Sequence, residues 1–460
     1  MRTLIISDLH LGSASCVDLL RRPGPRAALL EALRGVQRLV LLGDVLELRH
    51  GPRHEALAAA REFFEDIGDA MAGREIVVLA GNHDHALVEP WLERRGEREA
   101  PIPLEVEQRF GASEASAMLA QLDAWAQPAR LSVAYPGFWV RPDVYATHGH
   151  YLDCHLTVPT MERLGIGAMG RVLRRPPAEF ADPDDYEAVT NPVFAWIDAI
   201  ARQAKTGDAL NGGLTVRAWR ALNGVEDTAG TALVANSPPG RSGPEGSTHV
   251  RAISISAASV RAASGRTMSI RATSIRATTN GFPALGRQAA RARLGQVSRS
   301  LGARALTNAF PLAVAALNRA GFGPFNADLS SGELRRAGLR AMGEVATRLG
   351  LDGAYVIFGH THRAGPLPGD RESEWLGAGG ARLVNCGCWT YDSYFLTAKP
   401  GESPYWPGGA VLVEDEGPPQ VLRLLAGHRH EELAPGSYDS PGASLVPAAS
   451  DVGGLHKMTP

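Results

Sequence analysis

The sequence predicts an α/β fold built from βαβ units. Three observations predict it: apolar runs alternate with amphipathic stretches through the first third, the runs are nearly unbroken, and several stop abruptly on Asp, Asn or His. Residues 3–7 (TLIIS) read as a buried strand, 24–36 as a helix, and 37–44 (QRLVLLGD) as a second strand. Residues 54–73 read as a helix with apolar side chains at 57, 60, 63, 64, 67 and 71, a spacing that keeps them on one face. Residues 74–81 (REIVVLAG) are the third strand. A polar stretch that reads as helical leads to a short strand at 143–149. Strand character resumes at 354–362, at 381–387 and in the hairpin-like 408–425.

Composition narrows the function classes. At 460 residues the chain has room for one large domain with insertions or for several small ones, and its 44% apolar content is ordinary for a globular protein. With 47 basic against 49 acidic residues, no global attraction to nucleic acid is implied. Four cysteines do not make a disulfide framework. Cys386 and Cys388 read as small reduced residues at a strand end. The apolar run in MRTLIISDLHLG is too short for a signal peptide, and no stretch reaches the roughly 18 apolar residues that span a bilayer. A cytoplasmic chain is the expectation.

Residues 201–335 read as an insertion between an N-terminal part, 1–200, and a C-terminal part, 336–435. From Gly246 to Ala327 there is no Asp or Glu and there are eleven Arg. Within the low-complexity part, 236–280, Arg261, Arg266, Arg271 and Arg276 recur every five residues, too few copies to stack into a solenoid. Residues 285–325 read as helical, with Arg on one side and Leu, Phe and Val on the other. Such a helix packs on its own domain or lies on a membrane surface, so peripheral membrane contact is left open. The Pro/Gly/Ser-rich 436–460 reads as a disordered tail.

The chemistry sits at the strand ends. IISDLHLG ends on Asp8 and His10, LVLLGDVLE on Gly43 and Asp44 with Glu47 three residues on, and VVLAGNHD on Asn82, His83 and Asp84. VYATHGH ends on His148, and VIFGHTH on His360 and His362. A lone Asp-x-His is a chance match, and a lone His after a strand is usually scaffolding. Separate strands that all finish this way point to the crevice beyond their carboxyl ends, where open α/β sheets bind ligands. Imidazole, carboxylate and one carboxamide, without thiolate, suit Mn²⁺ first, with Fe²⁺ or Zn²⁺ as alternatives. The donors exceed what one ion needs. Two ions about 3.5–4 Å apart, sharing a carboxylate, would use them all and activate a bridging hydroxide.

In order and spacing, Asp8-x-His10, Gly43-Asp44, Gly81-Asn82-His83-Asp84, His148-Gly149 and Gly359-His360-x-His362 resemble the calcineurin-like metallophosphoesterase superfamily. The resemblance covers roughly residues 1–160 and 350–425. It implies a four-layer αββα sandwich interrupted by the Arg-rich insertion. It also implies that Asp8, His10 and His362 bind one metal, that Asn82, His148 and His360 bind a second, and that Asp44 bridges them. His83 is implied to assist the leaving group, with Asp84 orienting its ring. His85 has no implied role and is expected at the mouth of the site.

ISDLHLG, GDVLE and GHTHR are most similar to the UDP-2,3-diacylglucosamine hydrolase-like branch, and by that resemblance Arg363 is a substrate-binding residue. GNHD in place of that branch's usual Arg-containing motif, Ala364 in place of Pro and the long insertion depart from it. The reading is therefore a dimetal phosphoesterase for a phosphodiester, pyrophosphate or phosphomonoester. A nuclease of the same superfamily and a membrane or partner adaptor with a vestigial site are the alternatives. The insertion has almost no aromatic residues before 309 to stack bases, so no specific nucleic acid is expected. His50 and His54 read as surface residues, and Asn385 as part of a turn that supports the site.

Overall fold

Strands with nearly unbroken apolar sequences open the chain: β1 (Thr3–Ile6), β2 (Arg38–Leu42) and β3 (Glu75–Leu79). They pair in parallel, with Ile5 beside Val40 and Val40 beside Val77. The structure is a computed structural model and describes residues 1–49, 51–97, 102–203, 311–328, 330–397, 399 and 401–435. All of these lie in a unit made of Met1–Trp219 and Phe310–Pro460. The other unit, Arg220–Ala309, lies outside the described residues, as do His50, the five-residue repeats and the 436–460 tail. Of the stretch read as helical at 285–325, the described part is helical over 311–319.

Helices α1 (Pro23–Ala32) and α2 (Arg53–Ala70) alternate with the first strands. On α2, Ala56, Ala60, Phe63, Phe64 and Ile67 are buried, a one-sided stripe that docks on the sheet, while His54 is exposed. After α3 (Glu89–Gly96) come β4 (Glu107–Gly111), α4 (Ala112–Ala115), α5 (Ala117–Trp125) and β5 (Arg130–Arg141). Strand β6 (Val144–Thr147) follows, then α6 (Met161–Leu173), α7 (Pro183–Gln203) and α8 (Ser331–Arg348). Strands β7 (Tyr355–Phe358), β8 (Arg382–Asn385) and the antiparallel hairpin β9 (Gly409–Val413) and β10 (Gln420–Arg423) complete the sheets.

The strand order is β10-β9-β1-β2-β3-β5-β6-β7-β8, with β4 also paired to β5. Side-chain alternation along the strands sorts the core into three layers. Leu4, Ile6, Leu39, Leu41, Ile76 and Val78 pack with α1 and α2. Ile5, Val40, Leu42, Val77 and Leu79 pack on Val144, Ala146, Ile357 and Val384, so the strands fold into two sheets face to face. Tyr145, Val356, Phe358 and Leu383 turn outward onto residues of α6, α7 and α8. Three apolar interfaces mean four layers, the αββα arrangement that the resemblance implies. Among the described residues no helix is long and apolar enough to cross a membrane.

Strands β4 and β5 were both missed in the sequence, and β5 is the one that organises the fold. Its polar surroundings read as helical, and Pro136 and Gly137 argue against a strand. Arg130–Val133 pairs with β3 in the first sheet, and Gly137–Arg141 pairs with β6 in the second. Pro136 and Gly137 therefore lie where one long strand passes from sheet to sheet. A Cβ on Gly137 would collide with the Tyr145 hydroxyl. Phe138, fully buried just past this crossing, belongs to the layer between the sheets. Truncating it to Ala should cost about 3–5 kcal/mol, read as a lowered urea midpoint. An unchanged midpoint would show that the Phe138 side chain does not help hold the two sheets together.

Candidate metal centre

Each strand end delivers its polar residue within a few positions of the last ladder pair. Asp8 follows β1, Asp44 follows β2, and Asn82 follows β3. His148 follows β6, and His360 and His362 follow β7. The backbone at Asp8, His10, Asp44, His360 and His362 is left-handed, with φ of 56°, 46°, 50°, 64° and 58°. Side chains other than Gly avoid this region, so the turns are strained and are held by their surroundings. Amides of Leu9 and His10 bond the Asp44 carbonyl, and the His360 amide bonds Asp8 Oδ2 at 2.9 Å. Gly81 and Gly359 allow the strand ends to close up, because a Cβ on either would strike the Asp44 or the Asp8 carboxylate.

The residues gather as two groups around Asp44. In the first, His362 Nε2 lies 3.3 Å from Asp8 Oδ1 and 3.2 Å from His10 Nε2. In the second, Asn82 Oδ1 lies 3.2 Å from His148 Nε2 and 3.1 Å from His360 Nδ1. Asp44 Oδ2 stands between them, 3.7 Å from His10 Nε2 and 3.4 Å from His148 Nε2. The donor atoms of Asp8, His10 and His362 lie within 4.8 Å of one another, as do those of Asp44, His148 and His360. His10, Asp44 and His83 also fall within that reach.

The donor chemistry fits metal ions. His148 Nδ1 is bonded to the Leu42 carbonyl at 3.0 Å, which leaves Nε2 to face two oxygen acceptors, Asn82 Oδ1 and Asp44 Oδ2. His10 Nδ1 bonds Glu47 at 3.0 Å, so its Nε2 meets the Nε2 of His362. His360 Nε2 bonds Asp153 at 3.1 Å, which turns its Nδ1 to Asn82 Oδ1. Asp8 Oδ1 is buried without a hydrogen bond. Lone pairs aimed at lone pairs repel unless a proton or a metal cation lies among them.

Protons and ions compete for this position. Burial pulls the His148 pKa down, but the charge of Asp44, its hydrogen bond and the charge of Asp8 outweigh burial and lift it to about 9. For Asp44, burial raises the pKa, and the surrounding imidazoles, His148 and His83 first, hold it well below the usual carboxylate range.

Two sequence expectations need correction here. Asp84 does not orient the His83 ring. Its carboxylate accepts the amides of Gly81 at 2.7 Å, Val45 at 2.7 Å, and Asp44 and Leu46 at 3.2 Å, tying the turn after β2 to the turn after β3. The ring of His83 is held by Glu47, whose Oε2 lies 2.9 Å from Nδ1. Glu47 thus serves both His10 and His83, and its place three residues after Asp44 was the available signal. Burial also wins over the carboxylates at His83, holding its pKa at about 4 although Glu47 and Asp44 pull it upward. A ring with that pKa would be neutral at pH 7. The second correction concerns His85, which is not at the mouth. It is buried, with Nε2 3.2 Å from Glu187, which also accepts the hydroxyls of Tyr135 and Tyr151.

Arg363 is committed within the protein. It lines the cleft, but its guanidinium pairs with Asp370 at 2.6 and 3.1 Å and stacks over Trp375. Asn385 donates to the Gly359 carbonyl at 2.8 Å and accepts from the Gly387 amide, so it braces the turn carrying His360. Asp153 was missed because it lies in a 3₁₀ turn, His150–Cys154, with no strand pattern around it.

The family model of calcineurin-like phosphoesterases matches residues 1–187. No curated protein matches the chain. The family match ends before His360 and His362, which enter the site because β7 pairs with β6.

Asp84→Asn should place an amide donor against backbone amides and cost about 1–3 kcal/mol or more, measured by denaturant unfolding. Full stability in that variant would refute the tying role of Asp84. Because a proton on His148 is held up to pH about 9 and must leave before the ring ligates, apparent metal affinity should rise from pH 7 to 9 and then level. Calorimetry in buffers of different ionisation enthalpy should show proton release on metal uptake at pH 7; none would contradict this competition.

Proposed function

We propose, from the premise that a calcineurin-like phosphoesterase domain makes this chain a metal-dependent phosphoester hydrolase, that two divalent ions share Asp44. We further propose that the substrate is a phosphodiester, pyrophosphate or phosphomonoester of a small molecule or lipid. The observation that carries this reading is the position of Asp44 Oδ2 between the two ligand groups, 3.7 Å from His10 and 3.4 Å from His148. Asp8, His10 and His362 would hold one ion, and Asn82, His148 and His360 the other. The mixed carboxylate, amide and imidazole set favours manganese, with Fe²⁺ and Zn²⁺ as alternatives. When bound, such ions polarise phosphoryl oxygens and lower the pKa of water.

The chain's own residues do the rest. A cleft of about 300 Å³ opens beyond the ligands, with Asn82, His83 and His360 on its polar side and Leu339, Trp375 and Tyr405 among its other walls. Trp375 and Leu339 give the leaving alcohol an apolar surface and exclude water. His83 lines this cleft with Nδ1 fixed on Glu47. An anionic phosphoryl group entering beside the neutral ring raises its pKa, so the imidazole gains a proton as substrate binds and gives it to the departing oxygen. Glu47 keeps the ring in register through both steps.

The test is hydrolysis of bis-p-nitrophenyl phosphate beside p-nitrophenyl phosphate by protein stripped and reloaded with Mn²⁺. Metal-dependent turnover should be abolished by Asp44→Asn. His83→Ala should retain two metals per chain and lose about 10²–10⁴-fold in kcat. An unchanged rate in His83→Ala would sink the role given to that ring, and one metal per chain would sink the shared-carboxylate reading.

A further inference from the structure

A second cavity, of about 670 Å³, shares Leu156 in its lining with the metal cleft. Its walls come from α6, from the turn at 321–324 and from α8. Arginines dominate its charged lining: Arg163, Arg171, Arg174, Arg340 and Arg348, against Glu344. Two of these are already neutralised. Arg348 pairs with Glu344 at 2.7 Å, and Arg340 with Glu333 at 2.6 Å. Among the described residues, Arg163, Arg171 and Arg174 have no carboxylate partner.

Arg163 is the central residue. It is only 6% exposed, yet it makes no ion pair among the described residues. Nε donates to the Leu156 carbonyl at 3.1 Å, and the guanidinium carbon lies 5.2 Å from the centre of the Phe325 ring. Its terminal nitrogens make no hydrogen bond to the described protein. Gly167, one turn on and in the same wall, leaves room for them, because a Cβ there would come to 3.2 Å from Arg163 Nη1. Arg171 is likewise stacked, at 4.2 Å over Phe322, but its Nη2 already donates to the Ala320 carbonyl, so only the rest of its N–H edge is open. A guanidinium that rests on a ring keeps its N–H edge available, which suits bidentate binding of a planar or tetrahedral oxyanion.

Burying an unpaired cation is costly, and the cost is offset when an anion completes the pair. We propose that this cavity is a second oxyanion site, in which Arg163, assisted by Arg171 and Arg174, binds a phosphate group. The phosphate comes either from the far end of a substrate whose scissile ester lies in the metal cleft, or from free inorganic phosphate. The first source rests on the phosphoesterase reading; the second does not. In both, the shared Leu156 wall makes the two sites neighbours.

The experiment titrates inorganic phosphate into the Mn²⁺-loaded full chain by calorimetry, for the wild type and for Arg163→Met. Two phosphate sites are expected in the wild type and one in Arg163→Met. Arg163→Lys should restore the second with weakened affinity. Turnover of bis-p-nitrophenyl phosphate, too small to span both cavities, should be retained by Arg163→Met and thereby show that the variant is folded. The source is then resolved with a p-nitrophenyl diester bearing a second, terminal phosphate. If KM for it rises about tenfold or more in Arg163→Met while kcat for the small diester holds, the site takes the substrate's far end. If KM is unchanged but the phosphate site is lost, it takes free phosphate. Equal stoichiometry in wild type and Arg163→Met overturns the proposal. Failure of the wild type to hydrolyse any ester would instead count against the proposed function, and the phosphate stoichiometry would still decide for or against the cavity.

Discussion

Everything at the carboxyl ends of these strands is governed by one constraint: atoms that repel one another are made to converge. His10 and His362 meet nitrogen to nitrogen at 3.2 Å, and Asn82 Oδ1 faces imidazole nitrogens whose far sides are already hydrogen-bonded. Without a proton or a cation among them, such an arrangement opposes folding, as does the left-handed backbone that carries five of these donor residues. It persists because the rest of the fold holds it. Interleaved side chains fix the two sheets on each other, and backbone bonds from the amides of Leu9 and His10 to the Asp44 carbonyl lock the turn after β1 to the turn after β2.

This constraint explains the division of labour among the acidic residues. A carboxylate surrounded by amides is a structural clamp, and Asp84 has taken that part. A carboxylate between imidazoles fixes ring orientation and tautomer, and Glu47 does so for His10 and His83 together. Asp153 does the same for His360 from the turn that follows β6. The family resemblance implied Asp84 as the partner of His83. The neighbour in the chain is turned to the backbone amides, however, and Glu47 reaches the ring across from the next strand end.

Much of the site was legible because strand ends are read from local pattern alone. An apolar run that stops on Asp or His reveals both the strand and the direction in which it delivers its donor. Strand β5 resisted because its evidence is tertiary: Pro136 and Gly137 break the local pattern at the place where the strand changes sheets, and Tyr145 from the next strand dictates the glycine. Arg363 is a related case. By the resemblance its position after the last motif is that of a substrate-binding residue, and Asp370, seven residues on, pairs with its guanidinium in the cleft wall. His85 reads as part of a polar run, and no local pattern hints that α7 brings Glu187 over it.

Charge is arranged on two scales. The chain as a whole is nearly balanced, with 47 basic and 49 acidic residues. Locally the balance is broken in opposite senses. Asp8, Asp44, Asp84 and Glu47 crowd the strand ends, where divalent cations would offset them, whereas α6 and α8 put arginines around a neighbouring cavity. A chain that relied on bulk charge to attract a phosphate ester would have to repel it again at this carboxylate-rich centre. Short-range pairing would avoid the conflict: cations held at the strand ends would turn the centre attractive to phosphoryl oxygens, and at the proposed second site the guanidiniums would act only within a few ångströms. At physiological ionic strength, where charges more than about 8 Å apart are largely screened, that local arrangement decides where an anion settles, and the near-zero net charge does not.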